Sequence, residues 1–324
     1  MAHRVAPRWE RAVVASSTTV ADGVRHILLD IPRSRPAPPG SHVDVLVPTR
    51  DGGQLVRSYS VVEHGRQSGG CGIAVRLDPR SRGGSAFMHT LEAGDTVTVS
   101  QPVQDFELTP GRERYLLLAG GIGITPLLSM AHALAAWGAD YELVYAGRSR
   151  ASMAFLPDLE ADHAARLRTV VDDEDGPLDV AALVDGVSPD TELYVCGPSG
   201  MLAAVQHAWS TSGRPPARLR FETFGNSGNL PTTPFIVRVP RLGLDVEVSP
   251  GSTAVQALEA AGAEVMSDCL RGECGLCVVP VLAVGSGAID HRDVFLSPRQ
   301  KSAGRDICLC VSRVADGEIT VELP

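Results

Sequence analysis

The chain has 324 residues, enough for two or three domains of roughly 100 residues each, and three are expected. Its 44% hydrophobic and 21% charged content is that of a globular protein, and no stretch approaches the roughly 20 apolar residues that span a bilayer, which argues against a membrane protein. A formal net charge of −9 argues against nucleic acid, whose phosphates reward basic surfaces, and allows docking to a basic partner protein.

The opening MAHRVAPRWERAVVAS lacks the charged-then-apolar order of a secretory signal, so a reducing cytoplasmic location is expected. From about Val13 to Phe106, short alternating segments such as HVDVLVP and RSYSVVE are separated by Gly, Pro and Asp turns, which predicts a small antiparallel β-barrel. Two motifs stand in it: RSYS, which is Arg57, Ser58, Tyr59 and Ser60, and RGGS, which is Arg82, Gly83, Gly84 and Ser85. A flavin needs a flat surface for its ring and donors for its phosphate, and these residue types supply both. Tyrosine in an alternating strand is also ordinary half-buried packing.

Beginning at Arg114, the apolar run YLLLA ends in GGIGITP and is followed by LLSMAHALAAWG, which has helical spacing. Apolar strands recur at YELVYAG, LRTVVD and TELYVCG with helical stretches between several of them, which predicts a doubly wound α/β parallel sheet. In GGIGITP, Gly120, Gly121 and Gly123 let a pyrophosphate approach the backbone at a helix N-terminus, with Thr125 and Pro126 in the first turn. A tight strand-to-helix turn reads the same way when taken alone. Cys196, Gly197 and Pro198 follow another strand, at the end where open parallel sheets bind ligands, although Cys196 by itself also reads as a small buried residue.

Turn-forming residues in GNSGNLPTTP, residues 225–234, mark a linker. Beyond it come two strands, FIVRVP and LDVEVSP, a short helix TAVQALEAAG, a cysteine loop and a closing strand EITVEL. The resulting domains are expected at 1–109, 110–227 and 228–324.

Seven cysteines occur, at Cys71, Cys196, Cys269, Cys274, Cys277, Cys308 and Cys310, five of them after residue 268. An odd count in a reducing compartment disfavours a disulfide framework. The spacing C-x4-C-x2-C of Cys269, Cys274 and Cys277 is that of a plant-type 2Fe-2S site, with Gly272 and Gly275 where the backbone must bend around a cluster. A zinc site would pair two short cysteine or histidine couples instead. The fourth ligand is open between Cys308 and Cys310, which on an extended strand point to one face.

In this order, RSYS, RGGS, GGIGITP, CGP and the cysteine loop followed by CVSR resemble the phthalate dioxygenase reductase and vanillate demethylase reductase family over essentially the whole chain. The resemblance implies an FMN-binding barrel, a nicotinamide-binding sheet and a C-terminal plant-type ferredoxin domain of α+β, β-grasp fold. It implies FMN rather than FAD, because relatives using FAD carry another segment in place of RGGS. By the same resemblance Arg57, Tyr59 and Ser60 contact the flavin, Arg82 to Ser85 hold its phosphate, and Thr125 and the Cys196 loop lie near the nicotinamide. Phe224 resembles an aromatic position beside the flavin, and CVSR assigns the fourth ligand to Cys310, leaving Cys308 as an apolar neighbour. Asp172 and Asp173 resemble acidic positions near the ribose, which favours NADH, whereas Arg148 argues for a 2′-phosphate and hence NADPH. The implied activity is oxidoreduction: hydride from NADH to FMN, then single electrons through the cluster to a separate terminal oxygenase. That oxygenase is expected to be of the Rieske non-haem iron type, with a cytochrome P450 as the alternative, and the reductase itself is expected to be a monomer.

Overall fold

A computed structural model describes residues 8–32, 34–48, 54–64, 70–78, 83–224, 230 and 232–323. The chain divides into two compact units, one running to Glu222 and the other from Thr223 onward.

The first unit begins with strands β1 (Trp9–Ala21), β2 (Val24–Asp30), β3 (Ser41–Pro48), β4 (Gln54–His64) and β5 (Gly70–Arg76). Helix α1 (Gly84–Thr90) and strands β6 (Thr96–Ser100) and β7 (Val103–Gln104) follow. The order is β4-β5-β2-β1-β6-β3-β7, and a further β3–β4 pairing closes the sheet into a barrel, as the alternating segments predict. Closure follows from period two: Val43, Val45 and Val47 of β3 point into a core shared with Ile27, Leu29 and Ile73, while Asp44 and Leu46 between them are half-buried. Cys71 is wholly buried in that core, where burial pushes its thiol up to about 12.

The same unit continues with β8 (Arg114–Gly120), α2 (Ile124–Ala136), β9 (Tyr141–Gly147), α3 (Leu156–His163), β10 (Leu167–Val171), α4 (Asp172–Asp175) and α5 (Val180–Asp185). It ends with β11 (Thr191–Cys196), α6 (Ser199–Thr211) and β12 (Leu219–Glu222). All five strands are parallel in the order β10-β9-β8-β11-β12. Both faces of β8 are buried, so RYLLLAG is a continuous apolar run rather than an alternating one. The chain steps outward from β8 to β10 and returns on the other side at β11, so a crevice opens past the carboxyl ends of β8 and β11. At the opposite end of β11, the buried Glu192 carboxylate meets Arg112 at 2.6 Å and Arg220 at 3.4 Å, tying the loop before β8 to β12. Helix α2 packs along β4, and Val62 and Ala74 of the barrel share one core with Leu127 and Ala131 of that helix.

The second unit holds β13 (Phe235–Val239), β14 (Leu244–Val248), α7 (Ala254–Ala260), β15 (Val278–Asp290), α8 (Pro298–Ala303), β16 (Asp306–Cys308) and β17 (Arg313–Val321). Strand order is β14-β13-β17-β15-β16, with β13 and β17 parallel and the other pairs antiparallel, the mixed sheet of a β-grasp fold. Helix α7 starts with a capping box, in which Gln256 N–H donates to the Thr253 hydroxyl at 3.1 Å and Thr253 N–H to Gln256 Oε1 at 3.0 Å. Arg313 is buried under the sheet, stacked 4.9 Å over the Phe235 ring, and donates to the carbonyls of Thr233, Val248, Ser249 and Ser252. Strands β15 and β16 and helix α8 add to the elements expected from the sequence. The 225–234 linker lies largely outside the described residues, as does Arg82 of RGGS.

Candidate functional site

The cysteine loop joins α7 to β15. Cys269 Sγ accepts the N–H groups of Arg271, Glu273 and Cys274, each at 3.4 Å. The loop can aim three donors at one sulfur because Leu270, Gly272 and Gly275 all take left-handed backbone, with φ of 53°, 76° and 78°. A Cβ at Gly275 would also stand 2.3 Å from Cζ of the exposed Phe295 ring, which would have to swing aside. The sulfurs of Cys277, Cys308 and Cys310 lie within 4.8 Å of one another and are buried, while Cys274 sits exposed at the rim beside the exposed side chains of Leu270 and Leu276.

These thiols share protons. A hydrogen bond from Cys310, reinforced by the three backbone donors, brings Cys269 down to about 4 against the effect of burial. Hydrogen bonds from Cys308 and Cys310 bring Cys277 down to about 3, and Cys310, which donates to Cys269 and Cys277, is pushed up. Thiolates gathered with inward N–H donors fit an iron-sulfur cluster, which cysteine holds in its deprotonated form.

Cys308 and Cys310 do not share one extended strand. Strand β16 ends at Cys308, and the chain turns back so that the N–H groups of Val311 and Ser312 both return to the Cys308 carbonyl at 3.3 and 2.9 Å. Both thiols nevertheless converge on Cys277, through the turn rather than through a common strand face. Cys310 contacts Cys269 as well as Cys277, whereas the thiol contacts of Cys308 are with Cys277 and Cys310.

Two side chains beneath the loop were not singled out from the sequence. Asp293 is wholly buried, accepts the Leu296 N–H at 2.8 Å and the Ser312 hydroxyl at 3.1 Å, and packs under Gly272. Glu273 accepts from Thr223, and burial raises its carboxyl. The partners Ser312 and Thr223 stand 19 and 50 residues from Asp293 and Glu273, so neither contact leaves a periodic mark in the sequence.

In the first unit, GGIGITP and CGP meet edge to edge because β8 and β11 pair in parallel, with Ala119 opposite Cys196. A Cβ on Gly123 would lie 2.1 Å from the Cys196 carbonyl oxygen, and one on Gly197 would lie 3.1 Å from the Gly120 Cα. Met201, unmarked in the sequence, packs its sulfur against both Gly120 and Gly197. Gly121, at φ +55°, faces open space, which leaves room for a ligand over the turn. Thr125 is buried and donates to the Ile122 carbonyl at 3.0 Å, closing the first turn above Pro126. Cys196 is also fully buried, so this loop presents Gly197 and Pro198 to solvent rather than the thiol. Past the ends of β9 and β10, Arg148 and Asp173 are exposed neighbours, the Asp173 N–H donating to the Arg148 carbonyl at 3.2 Å, with Asp172 beside them.

RSYS occupies β4, where the register sets Arg57 opposite Val45 and Ser60 opposite His42. Residues alternate along it: Tyr59 packs on the barrel core, its hydroxyl pushed up to about 12 by burial, and Ser58 donates to Asp44 at 2.6 Å. The Ser60 hydroxyl is buried without a hydrogen-bond partner among the described residues, an unsatisfied group of the kind a ligand atom satisfies. RSYS and RGGS come together: a Cβ on Gly84 would stand 3.1 Å from Arg57 Nε. Gly83, at φ +119°, bends the chain into α1, and Ser85 accepts the Asp78 N–H at 3.0 Å. Strand β5 lies against the 121–123 turn, so the flavin-type and nicotinamide-type motifs adjoin within this unit. Phe224 is 40% exposed and belongs to the second unit.

Three family models match the chain: an oxidoreductase FAD-binding domain over residues 11–108, an oxidoreductase NAD-binding domain over 117–207 and a 2Fe-2S iron-sulfur cluster binding domain over 237–315. The chain is 39% identical over 297 residues to vanillate O-demethylase oxidoreductase of Pseudomonas sp. (strain HR199 / DSM 7063), covering 89% of this chain and 90% of that protein. The solved phthalate dioxygenase reductase, described as a modular structure for electron transfer from pyridine nucleotides to 2Fe-2S, matches with a TM-score of 0.75 at 32% identity, over 97% of this chain and 98% of that one. A type IV self-sufficient cytochrome P450 monooxygenase matches 97% of this chain at 37% identity with a TM-score of 0.66, and this chain spans 41% of its length. Among the described residues, no helix is long and apolar enough to cross a membrane.

Proposed function

Since the chain belongs to the phthalate dioxygenase reductase family of oxygenase reductases, we propose how its residues divide the work of carrying electrons from NADH through FMN and a 2Fe-2S cluster to a terminal oxygenase. A flavin accepts a hydride pair and releases electrons singly, which a one-electron cluster requires. Arg57, Tyr59 and the buried Ser60 hydroxyl bind the flavin, with Gly83, Gly84 and Ser85 at its phosphate, and Arg57 supplies a charge-assisted contact. Gly120 to Pro126 and the Cys196 to Pro198 loop orient the nicotinamide nucleotide at the strand-order reversal. Asp172 and Asp173 disfavour a 2′-phosphate, and Arg148 beside them is the residue that would accept one.

Cys269, Cys274, Cys277 and Cys310 hold the cluster. The single observation that carries this assignment is that Cys310 contacts both Cys269 and Cys277, closing the ring that Cys308 reaches from one side. Iron content of two variants tests it. Cys310→Ala is expected to lose the cluster while its flavin still accepts hydride, and Cys308→Ala to keep both. A cluster that survives in Cys310→Ala and disappears in Cys308→Ala moves the ligand by two residues.

A Rieske-type oxygenase is the favoured acceptor. Coverage of 97% of this chain within a cytochrome P450 monooxygenase supports a second reading, in which the acceptor is a P450. Reconstituting NADH-dependent turnover with each class separates the two. A reducing cytoplasm is the expected location, since it spares cluster cysteines from disulfide formation, and a monomer is expected by sedimentation.

A further inference from the structure

The four cysteines assigned to the cluster come from two stretches of the second unit, the 269–277 loop and the turn after β16. Residues 291–296, which follow β15, bond to both stretches. On the loop side, the N–H groups of Val294 and Phe295 donate to the Gly272 carbonyl at 3.0 and 3.2 Å. On the other side, the hydroxyl of Ser312, two residues beyond Cys310, donates to Asp293 Oδ1 at 3.1 Å and accepts the Arg292 N–H at 3.1 Å. The three segments meet at Gly272, where a Cβ would stand 2.7 Å from Val311 Cγ2 and 2.9 Å from Asp293 Cα.

Asp293 is the centre of this knot, and its side chain is wholly buried. Its Oδ2 accepts the Leu296 N–H at 2.8 Å, folding 293–296 into the turn that aims two N–H groups at Gly272. Lys301 of α8 faces the same oxygen at 3.7 Å and donates to the Asp293 carbonyl, and His291 Nδ1 stands 3.7 Å from Oδ1. Burial works against the ionised carboxylate, but His291, the Leu296 N–H, Lys301 and the Ser312 hydroxyl together outweigh it and hold the group below the usual carboxylate range. A buried charge is costly unless it is paired and hydrogen-bonded, and here one oxygen serves the loop side and the other the Cys310 side. Bonds to a carboxylate are also the stronger class of hydrogen bond.

We propose that Asp293 is a positioning residue for the cluster, locking the turn that carries Cys310 to the loop that carries Cys269, Cys274 and Cys277. This role rests on the cluster reading above and involves no ligation by Asp293 itself. It lies wholly within the second unit.

The test uses the full-length holoprotein and follows iron release to excess chelator, the paramagnetic resonance of the dithionite-reduced cluster, and flavin reduction by NADH. Asp293→Ala removes both acceptor oxygens and should release iron roughly tenfold faster, the factor that about 1.4 kcal/mol produces and the scale of one hydrogen bond to a charged group. The resonance of its loaded fraction should shift, which a general loss of stability would not cause. Asp293→Asn keeps the shape and an acceptor oxygen and should return both readings most of the way. Ser312→Ala cuts only the link to the Cys310 turn and should change both by less. Flavin reduction should stay unchanged in all three. Unaltered iron release and resonance in both Asp293→Ala and Ser312→Ala overturn the proposal, as does faster release with an unshifted resonance. If Asp293→Ala takes up no cluster, Ser312→Ala decides alone: faster release with a shifted resonance supports the lock, and any other result overturns it. If the unsubstituted protein binds no 2Fe-2S cluster, the cluster reading has failed instead. Hydrogen exchange at the Val294, Phe295 and Ser312 amides then still tests the lock: protection in the unsubstituted protein that is lost in Asp293→Ala supports it, and equal exchange in the two overturns it.

Discussion

Gly121 and Gly123 stand two residues apart in one loop, and the structure gives them opposite reasons to be glycine. At Gly123 the backbone φ is −63°, open to any residue, but a Cβ would lie 2.1 Å from the Cys196 carbonyl oxygen and 2.4 Å from its carbon. Those are backbone atoms of β11, which is paired to β8 on one side and β12 on the other, so no side-chain rotation can make room. Overpacking of a rigid site costs about 1–3 kcal/mol, and a backbone obstacle puts Gly123→Ala at the upper end. At Gly121 there is space but the φ is +55°. Alanine there costs about 1–2 kcal/mol for left-handed backbone, offset by about 0.4–1 kcal/mol from a less disordered unfolded chain. With about 2–4 °C per kcal/mol for a unit of this size, Gly123→Ala should lower the melting temperature of the first unit by roughly 6–12 °C, and Gly121→Ala by a few degrees at most. Melting followed by flavin fluorescence, together with the KM for NADH, is the assay. Gly123→Ala is expected to lose both stability and NADH reactivity, whereas Gly121→Ala keeps its stability but raises KM, because its methyl group enters the open side of the turn. A Gly123→Ala protein as stable and as reactive as the unsubstituted one would refute this reasoning, as would the reverse order of the two variants.

Arg57→Ala should lower the flavin retained through purification, and the flavin released on denaturation should be FMN; unchanged retention counts against the Arg57 contact, and a stoichiometric yield of FAD against the RGGS argument. Glu192→Ala should destabilise the first unit by about 2 kcal/mol, since two arginines lose a buried carboxylate but are themselves partly solvated. Glu192 stands at the far end of β11 from the nicotinamide loop, so NADH reactivity at low temperature should not change in that variant. Asp173→Ala should raise the rate with NADPH relative to NADH, and Arg148→Ala in the same background should reverse the gain; insensitivity of the ratio to both would remove these residues from cofactor choice.

Much of the first unit was legible because its signals are local. YLLLAGGIGITP carries strand, turn and helix within a dozen residues, and the structure builds them as β8, the 121–123 turn and α2. The second unit was legible at FIVRVP, LDVEVSP and the capped α7, but not at β15, where Pro280, Gly285 and Gly287 and irregular pairing with β17 break the period of two. Helix α8 is six residues long, too short to show periodicity. The spacing of Cys269, Cys274 and Cys277 was enough to suggest a metal centre, yet the turn that swings Cys310 back toward them depends on hydrogen bonds to the Cys308 carbonyl. The hydrogen bond from Thr223 to Glu273 reaches across 50 residues and leaves no periodic trace.

Anaerobic titration with NADH, following the flavin absorbance and the paramagnetic resonance of the reduced cluster in the same samples, tests most directly whether one chain joins a hydride acceptor to a single-electron outlet. The unsubstituted protein should bleach its flavin and develop the resonance together, and Cys310→Ala should bleach without it. A resonance that NADH elicits from flavin-free protein, or a bleached flavin beside a cluster that stays oxidised in the unsubstituted protein, would contradict it.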